Sequence, residues 1–364
     1  MPTRALITSY REDLKLFPDF WHKVGLMVAL VSTLAFPFLA DARWVTIANG
    51  AWIAVVGAVG MMILTGFAGQ ISLGHAAFLA VGAYTAAVTA EQLHLPFWLA
   101  IPLGGLLAAA VGLAVGPFAL RLRGLYLAIV TLGLMALVNH TLFSLPELTH
   151  GASGIRVAAY GWFPSADEAR GFGTFANKTA LFGYELDFQQ KLYFVFAAIG
   201  VLAALASKNI QRSGTGRAMV SVRDHDLAAA ILGVHPAKTK IVAFGISSFF
   251  AGVAGAMFGF QQQYITIEPT FDLRLSVMYI AIIVLGGIGT TFGAVAGAFL
   301  YVALVPLAEI LGRNVPLLSS LSTSQQSMLL FAVAVCAVLV LEPFGMLGVW
   351  FRVKRYFVAW PFRY

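Results

Sequence analysis

The 364-residue chain is 60% hydrophobic and only 11% charged, with a mean hydropathy of +0.85, whereas an ordinary soluble domain carries roughly a quarter charged residues. A water-soluble fold is excluded, because charge is confined to a few connections and the remaining surface must face lipid. The net charge of +7 does not point to nucleic acid, since the basic residues flank apolar runs, where they act as topology signals. The single cysteine, Cys336, lies in an apolar run and allows neither a disulfide framework nor a thiolate metal site within the chain.

A bilayer core of about 30 Å needs roughly 20 mostly apolar residues per helix. That ruler predicts an all-α polytopic membrane protein with about ten transmembrane helices, near 24–40, 44–64, 71–90, 97–118, 125–145, 190–206, 241–261, 275–288, 291–311 and 325–341. The first run ends at Ala40-Asp41-Ala42, which has the small-x-small form of a cleavage site. A leader of that length exceeds the usual range of about 15 to 30 residues, so this run is expected to stay as a helix. The stretch from Leu275 to Ala308 holds no charged residue and would be about 51 Å long as one helix. Gly286-Gly287-Ile288-Gly289-Thr290-Thr291-Phe292-Gly293 supplies the expected break.

Lysine and arginine counts in the short connections set the orientation. The leader, residues 1–23, holds Arg4, Arg11, Lys15 and Lys23; the turn after the fourth span holds Arg121 and Arg123; the tail, residues 350–364, holds Arg352, Lys354, Arg355 and Arg363. Placing all three inside gives a cytoplasmic N-terminus and C-terminus around a permease domain at 24–349. The connection 207–240 is then cytoplasmic too, with Lys208, Arg212, Arg217, Arg223, Lys238 and Lys240 against Asp224 and Asp226. The segment 146–189, of mixed charge and rich in Gly, Pro and aromatic residues, becomes the one large external loop, a compact lid or docking surface.

Between the second and third spans the run Gly66-Phe67-Ala68-Gly69-Gln70-Ile71-Ser72-Leu73-Gly74-His75-Ala76-Ala77-Phe78 interrupts apolar sequence with glycines and polar groups. Irregular backbone at membrane depth is tolerated only where protein buries it or where it lines a cavity, so Gly69, Gln70, Ser72, Gly74 and His75 are candidates for a translocation path, with Gly286, Gly287 and Gly289 of the second break. A packed cytoplasmic turn, with His75 an ordinary packed histidine, is the alternative. The pairs Gly112 and Gly116, Gly255 and Gly259, and Gly293 and Gly297 are expected to bring helices close within the subunit.

Gln70-Ile71-Ser72-Leu73-Gly74-His75-Ala76-Ala77-Phe78 with Gly82-Ala83-Tyr84 resembles the signature of LivM-type permeases of branched-chain amino-acid ABC importers. So do Leu122 to Leu132, Thr149 to Gly154 and Leu285 to Thr290, and the resemblance runs over about residues 45–348. The family's closing Arg-Pro-x-Gly-Leu pattern stands here as Glu342-Pro343-Phe344-Gly345-Met346, a departure at its first position. The resemblance implies a fold like the vitamin-B12 importer type of permease, in the inner membrane. It implies as partners a second permease chain of paralogous sequence, two ATP-binding subunits and a periplasmic substrate-binding protein, with ATP and Mg on the ATP-binding subunits and no cofactor on this chain.

In the connection 207–240, Asp224 or Asp226 is expected to cap a short alanine-rich helix that Gly233 ends, with Pro236 beyond it. The family carries here a Glu-Ala-Ala-x-x-x-Gly core that docks on the ATPase. Leu227-Ala228-Ala229 and Gly233 fit that spacing, with leucine in place of the glutamate and Asp226 one place earlier, and Ala230 follows them. Arg217, Arg223, Asp224 and Asp226 join them as candidate ATPase-coupling residues; a solvated basic loop is the alternative.

The chain has no Gly-x-x-x-x-Gly-Lys-Ser/Thr loop, no cluster with metal-ligand spacing and no Ser-His-Asp arrangement, so no catalytic or metal residue is assigned. An ion-coupled carrier would keep a carboxylate at membrane depth, yet all sixteen acidic residues fall in loops or near span ends. Gln70, Ser72, Asn139, Ser247, Ser248 and Thr290 would suit a zwitterionic aliphatic amino acid, and equally urea or a short amide, whose permeases resemble this family.

Overall fold

The computed structural model describes residues 20–119, 124–158, 179–181, 184–314, 322–342 and 345–359. The leader basic residues up to Lys15, Arg121, Arg123, Arg363, Pro343 and Phe344, and the external loop from 159 to 178 lie outside them.

Helices occupy each of the ten expected positions. They are α1 (Phe20–Leu39), α2 (Ala42–Met61, prolonged by a π-helical turn Met62–Phe67), α3 (His75–Leu93), α4 (Phe97–Ala119) and α5 (Leu125–Phe143); then α7 (Phe188–Arg212), α10 (Pro236–Gln262), α11 (Leu273–Gly286), α12 (Thr291–Asn314) and α13 (Thr323–Leu341). A one-turn helix α6 (Pro146–Thr149), the helices α8 (Gly214–Asp224) and α9 (Asp226–Ile231) of the connection 207–240, and a closing helix α14 (Gly345–Ala359) complete the α-helices among the described residues. The domain boundary expected at 349 therefore falls inside α14. Two small antiparallel pairings join β1 (Ile155–Arg156) to β4 (Tyr264–Ile265) and β2 (Thr179–Leu181) to β3 (Tyr184–Leu186). Neither pairing was legible in the sequence, because two- and three-residue strands leave no periodicity to read.

Among the described residues six helices are long and apolar enough to cross a membrane: Ala42–Phe67, Phe97–Pro117, Tyr126–Phe143, Phe188–Arg212, Pro236–Gln262 and Thr291–Ile310; α13 and α14 taken as one bent span would make a seventh. Met27–Leu39 and Leu273–Gly286 are apolar but shorter. Helix α3 falls outside both groups for a different reason: alanine, threonine, Glu91 and Gln92 lower its hydropathy, and it is buried along most of its length.

The core is built on α10, which packs along α4, α3 and α2. Small residues set the distance. A Cβ on Gly252 would lie 2.5 Å from Ala108 Cβ and 2.6 Å from Gly104 O, one on Gly255 would lie 2.0 Å from Leu79 O, and one on Gly112 would lie 2.2 Å from Ser248 Oγ. With no hydrophobic drive between helices in lipid, such contact gains dispersion energy that larger residues would forfeit. Gly293 and Gly297 likewise abut Gly287 O and Ile282 O in the α11–α12 turn. The small-residue pairs thus serve packing within the subunit. The outer faces of α1, α4 and α5 carry exposed Met27, Val28, Leu106, Leu107, Ile129 and Leu137, an apolar belt that water would not tolerate.

Candidate functional site

The first glycine break begins with the π turn, where the backbone of α2 takes one extra residue per turn. Gln70 N donates to Leu64 O at 3.0 Å and Thr65 Oγ1 donates to Gln70 O at 3.1 Å, folding the chain back on the turn. Gly69 then adopts φ +67°, a left-handed conformation open to glycine at little cost. From there the chain is held by side chains of distant helices: Thr131 Oγ1 of α5 accepts from Leu73 N at 2.9 Å, and Ser276 Oγ of α11 accepts from Ala76 N at 2.9 Å in the first turn of α3. Those two isolated polar residues in apolar runs were the sequence signal for this support.

The candidate path residues separate into two environments. Ser72 and His75 are buried in protein: Ser72 Oγ accepts from Gly74 N at 3.2 Å, and His75 Nε2 lies 3.0 Å from Gly57 O with its ring edge-on to Tyr279. Gly74 abuts Thr131, a Cβ there lying 2.4 Å from its carbonyl oxygen. Gly69 and Gln70 instead line a polar cavity of about 290 Å³ with Gly124, Arg223, Asp226 and Lys240. Gln70 Oε1 is buried and has no hydrogen-bond partner among the described residues. Of the other polar groups, Asn139 Nδ2 donates to Phe271 O at 2.9 Å, Ser248 Oγ to Phe244 O at 2.8 Å and Thr290 Oγ1 to Gly287 O at 3.4 Å, while Ser247 is buried.

The second break, after α11, packs against the first. Gly289 N lies 3.0 Å from Met62 Sδ of the π turn, and a Cβ on Gly66 would meet Gly289 N at 3.0 Å. Gly287 and Gly289 both take positive φ, and a Cβ on Gly286 would overlap Gly293 O at 1.8 Å. Gly345, which opens α14, seats on the same turn, where a Cβ on it would lie 2.8 Å from Gly287 N. Glu342, the acidic residue at the head of the closing motif, pairs with Arg352 of α14. The departure from the family pattern therefore has its own internal counter-ion.

In the connection 207–240 the expected alanine-rich helix is α9, and a further helix, α8, precedes it. Ser213 caps α8, accepting from Gly216 N at 3.2 Å, and α8 buries Met219 and Val222. Neither aspartate caps α9: His225 occupies the N-cap position without a side-chain bond, Asp226 is the first helical residue, and Asp224 pairs with Arg223 Nε at 2.9 Å. The arginine side chain reaches Asp224 and so removes it from the capping role. Gly233, at φ +87°, turns the chain after α9 toward Pro236, where α10 begins. Ala229 is buried and Ala228 and Ala230 are exposed. Leu227, Ile231 and Leu232 stand out at 73%, 87% and 82% exposure, an apolar tip on a short helix. Arg217 is exposed and its Nη1 donates to Arg212 O at 2.7 Å. Arg223, also exposed, places its Nη1 on Gly66 O, donating at 2.6 Å. Among the described residues no group of three or more His, Cys, Asp or Glu side chains is arranged to hold a metal ion.

The family model for the branched-chain amino acid transport system permease component matches residues 44–350, taking in both glycine breaks and the cytoplasmic segment. The chain belongs to this permease family. The high-affinity branched-chain amino acid transport system permease protein LivM of Salmonella typhimurium is 36% identical over 289 residues, 77% of this chain and 67% of the relative, and the LivM protein of Escherichia coli matches to the same extent. The LivH permease protein of the same system in Escherichia coli is 28% identical over 170 residues, 46% of this chain and 51% of the relative. No solved structure matches the chain.

Proposed function

We propose that the chain is one transmembrane permease subunit of an ATP-binding-cassette importer that moves branched-chain amino acids inward across the inner membrane. In this reading its partners are a paralogous permease, two ATP-binding subunits and a periplasmic binding protein. The relatives' names supply the substrate class, and the apolar tip of α9 is the observation that carries the mechanism. Leu227, Ile231 and Leu232 project from a basic segment that topology puts in the cytoplasm, with no lipid to cover them, and such a patch needs a protein groove. An ATP-binding subunit supplies one, and Arg217 lies at its rim, where charge steers assembly more than it adds affinity.

Ten crossings, with both termini inside, is the topology we infer. Its support is a set of tertiary contacts that join ends assigned to the same side. Gly66, Arg223 and Gly289 meet at the inner end. At the outer end Arg43 pairs with Glu309, Gln261 Nε2 donates to Thr46 O at 3.0 Å, Asn49 Nδ2 donates to Gln189 O at 3.1 Å, and β1 pairs with β4. Helices α1, α3 and α11, too short or too polar to stand alone in lipid, cross as members of the bundle. The pairing of Glu309 with Arg43 and of Glu342 with Arg352 also disfavours an ion-coupled carrier, which needs a carboxylate free to exchange its ion.

The test is reconstitution with the cognate ATP-binding subunits, second permease and binding protein in proteoliposomes. ATP-dependent uptake of leucine, isoleucine or valine, and its loss in Ile231→Glu together with loss of the ATPase from the purified complex, is expected. Uptake of urea in place of leucine would overturn the substrate, and uptake without ATP would overturn the class.

A further inference from the structure

Arg223 holds the first glycine break from within the segment 207–240 and lies beside the second. It is the penultimate residue of α8, and α9 follows after a single residue, His225. Its Nη1 donates to Gly66 O at 2.6 Å, a carbonyl at the end of the π turn where helical partners run out. Its stem lies on Gly69, where a Cβ would fall 2.6 Å from Arg223 Cγ. Its Nη1 is also 3.5 Å from the Cβ position of Gly289, whose carbonyl accepts from Gln211 Nε2 at 3.3 Å. Asp224 orients the guanidinium through Nε at 2.9 Å. One side chain thereby joins the helix that leads to the exposed tip to the π turn of α2, on which the turn between α11 and α12 packs through Gly289.

Two further features make this contact suited to switching. The π turn is a local distortion with a lower cost of rearrangement than a regular helix, and such turns recur at functional sites. The 290 Å³ cavity beside the arginine borders α8 and α9, and within its wall Gln70 Oε1 is, among the described residues, an unfilled acceptor that a displaced donor can take.

Building on the importer reading above, we propose that Arg223 is the positioning residue that transmits movement of the α9 tip to the two breaks. When the docked ATPase moves α9, the arginine draws the Gly66 carbonyl and the turn at Gly289 with it, so the inner ends of α2, α11 and α12 move as one. A leucine or other apolar residue at 223 could still pack on Gly69 but would have no hold on Gly66.

The experiment uses the complete importer in proteoliposomes and measures amino-acid uptake per ATP hydrolysed, with nucleotide-dependent hydrogen exchange of residues 62–74 and 286–290. Loss of a hydrogen bond to a charged group is expected to lower uptake per ATP by about ten- to a hundredfold in Arg223→Met. The ATPase is expected to remain in the complex, and the exchange change on nucleotide binding to be lost from 62–74. Arg223→Lys, which keeps the charge and most of the stem, should fall between Met and wild type, and it carries the test alone if Arg223→Met fails to insert. Wild-type uptake per ATP in the variants, or an exchange response at 62–74 that persists, overturns the proposal. So does loss of the ATPase from the complex, which would make Arg223 a docking residue. If the wild-type chain itself retains no ATPase, the importer reading fails instead, and that result is seen before any variant is made.

Discussion

Gly82 of α3 and Gly252 of α10 cross with their backbones in contact: a Cβ on Gly82 would lie 2.0 Å from Gly252 O. Neither helix can move apart locally, because Gly104 of α4 closes on the same point, its Cβ position 2.8 Å from Gly82 O. Gly82→Ala should therefore destabilise the protein by about 1 to 3 kcal/mol through forced backbone shifts, although alanine is the better helix former. Gly50→Ala in α2, where nothing lies within 4 Å, serves as the contrast and should lose no stability. Thermal unfolding in detergent compares them, and equal stability of the two variants would refute the close crossing.

Gly69→Leu and Gly74→Leu should abolish uptake while the chain still inserts. At Gly69 the conformation at φ +67° strains any side chain, and at Gly74 the Thr131 carbonyl occupies the space. Uptake assays paired with membrane-fraction blots check this, and full uptake by both variants would show the break to be an ordinary turn.

At the apolar tip, buried and exposed positions should respond differently. Charged substitution at Ala229, which is buried, should lower stability as well as ATPase binding. Ile231→Glu or Leu232→Glu should leave the melting temperature alone and release the ATPase. Arg217→Glu should weaken association modestly at low salt and have less effect as salt is raised, since rim charges are screened over about 10 Å at 0.1 M. Copurification across a salt series reads all three, and wild-type association in the tip variants would leave this segment as a solvated topology signal.

The ten-crossing topology predicts labelling by side. With Cys336 replaced by serine, a cysteine at Leu93, 63% exposed, should react with an impermeant maleimide added to intact cells. A cysteine at Ile288, 52% exposed, should react only after permeabilisation. Labelling of both from outside would reverse or break the topology.

Most of the helical layout was legible because long apolar runs and their basic flanks obey the bilayer's dimensions. The break at 286–290 could be read from composition, since glycine density alone forbids continuous helix. What the sequence did not disclose was tertiary: that Gly66 and Gly289 touch, that Arg223 bonds the distant Gly66 carbonyl while Arg217 bonds the nearby Arg212 carbonyl, and that Asp224 serves the arginine rather than a helix cap. Two arginines in one basic segment look alike in sequence, and only the carbonyl left open by the π turn separates them. The candidate path residues had the same limit, because Ser72 and Gln70 are two positions apart yet one is enclosed by protein and the other borders a cavity.

Helix α3 sits among α4, α5 and α10 but is too polar to be counted among the independently apolar spans. That has a consequence for biogenesis. As the chain emerges, α3 reaches the membrane together with α2 and just ahead of α4, while α10, whose glycines receive it, is synthesised much later. Until then its alanine face has no partner, and the early helices form a loosely held hairpin rather than a finished unit. Mutations that enlarge the small residues of α10 should accordingly show their first defect as turnover of newly made chains, before any mature transporter exists to be assayed.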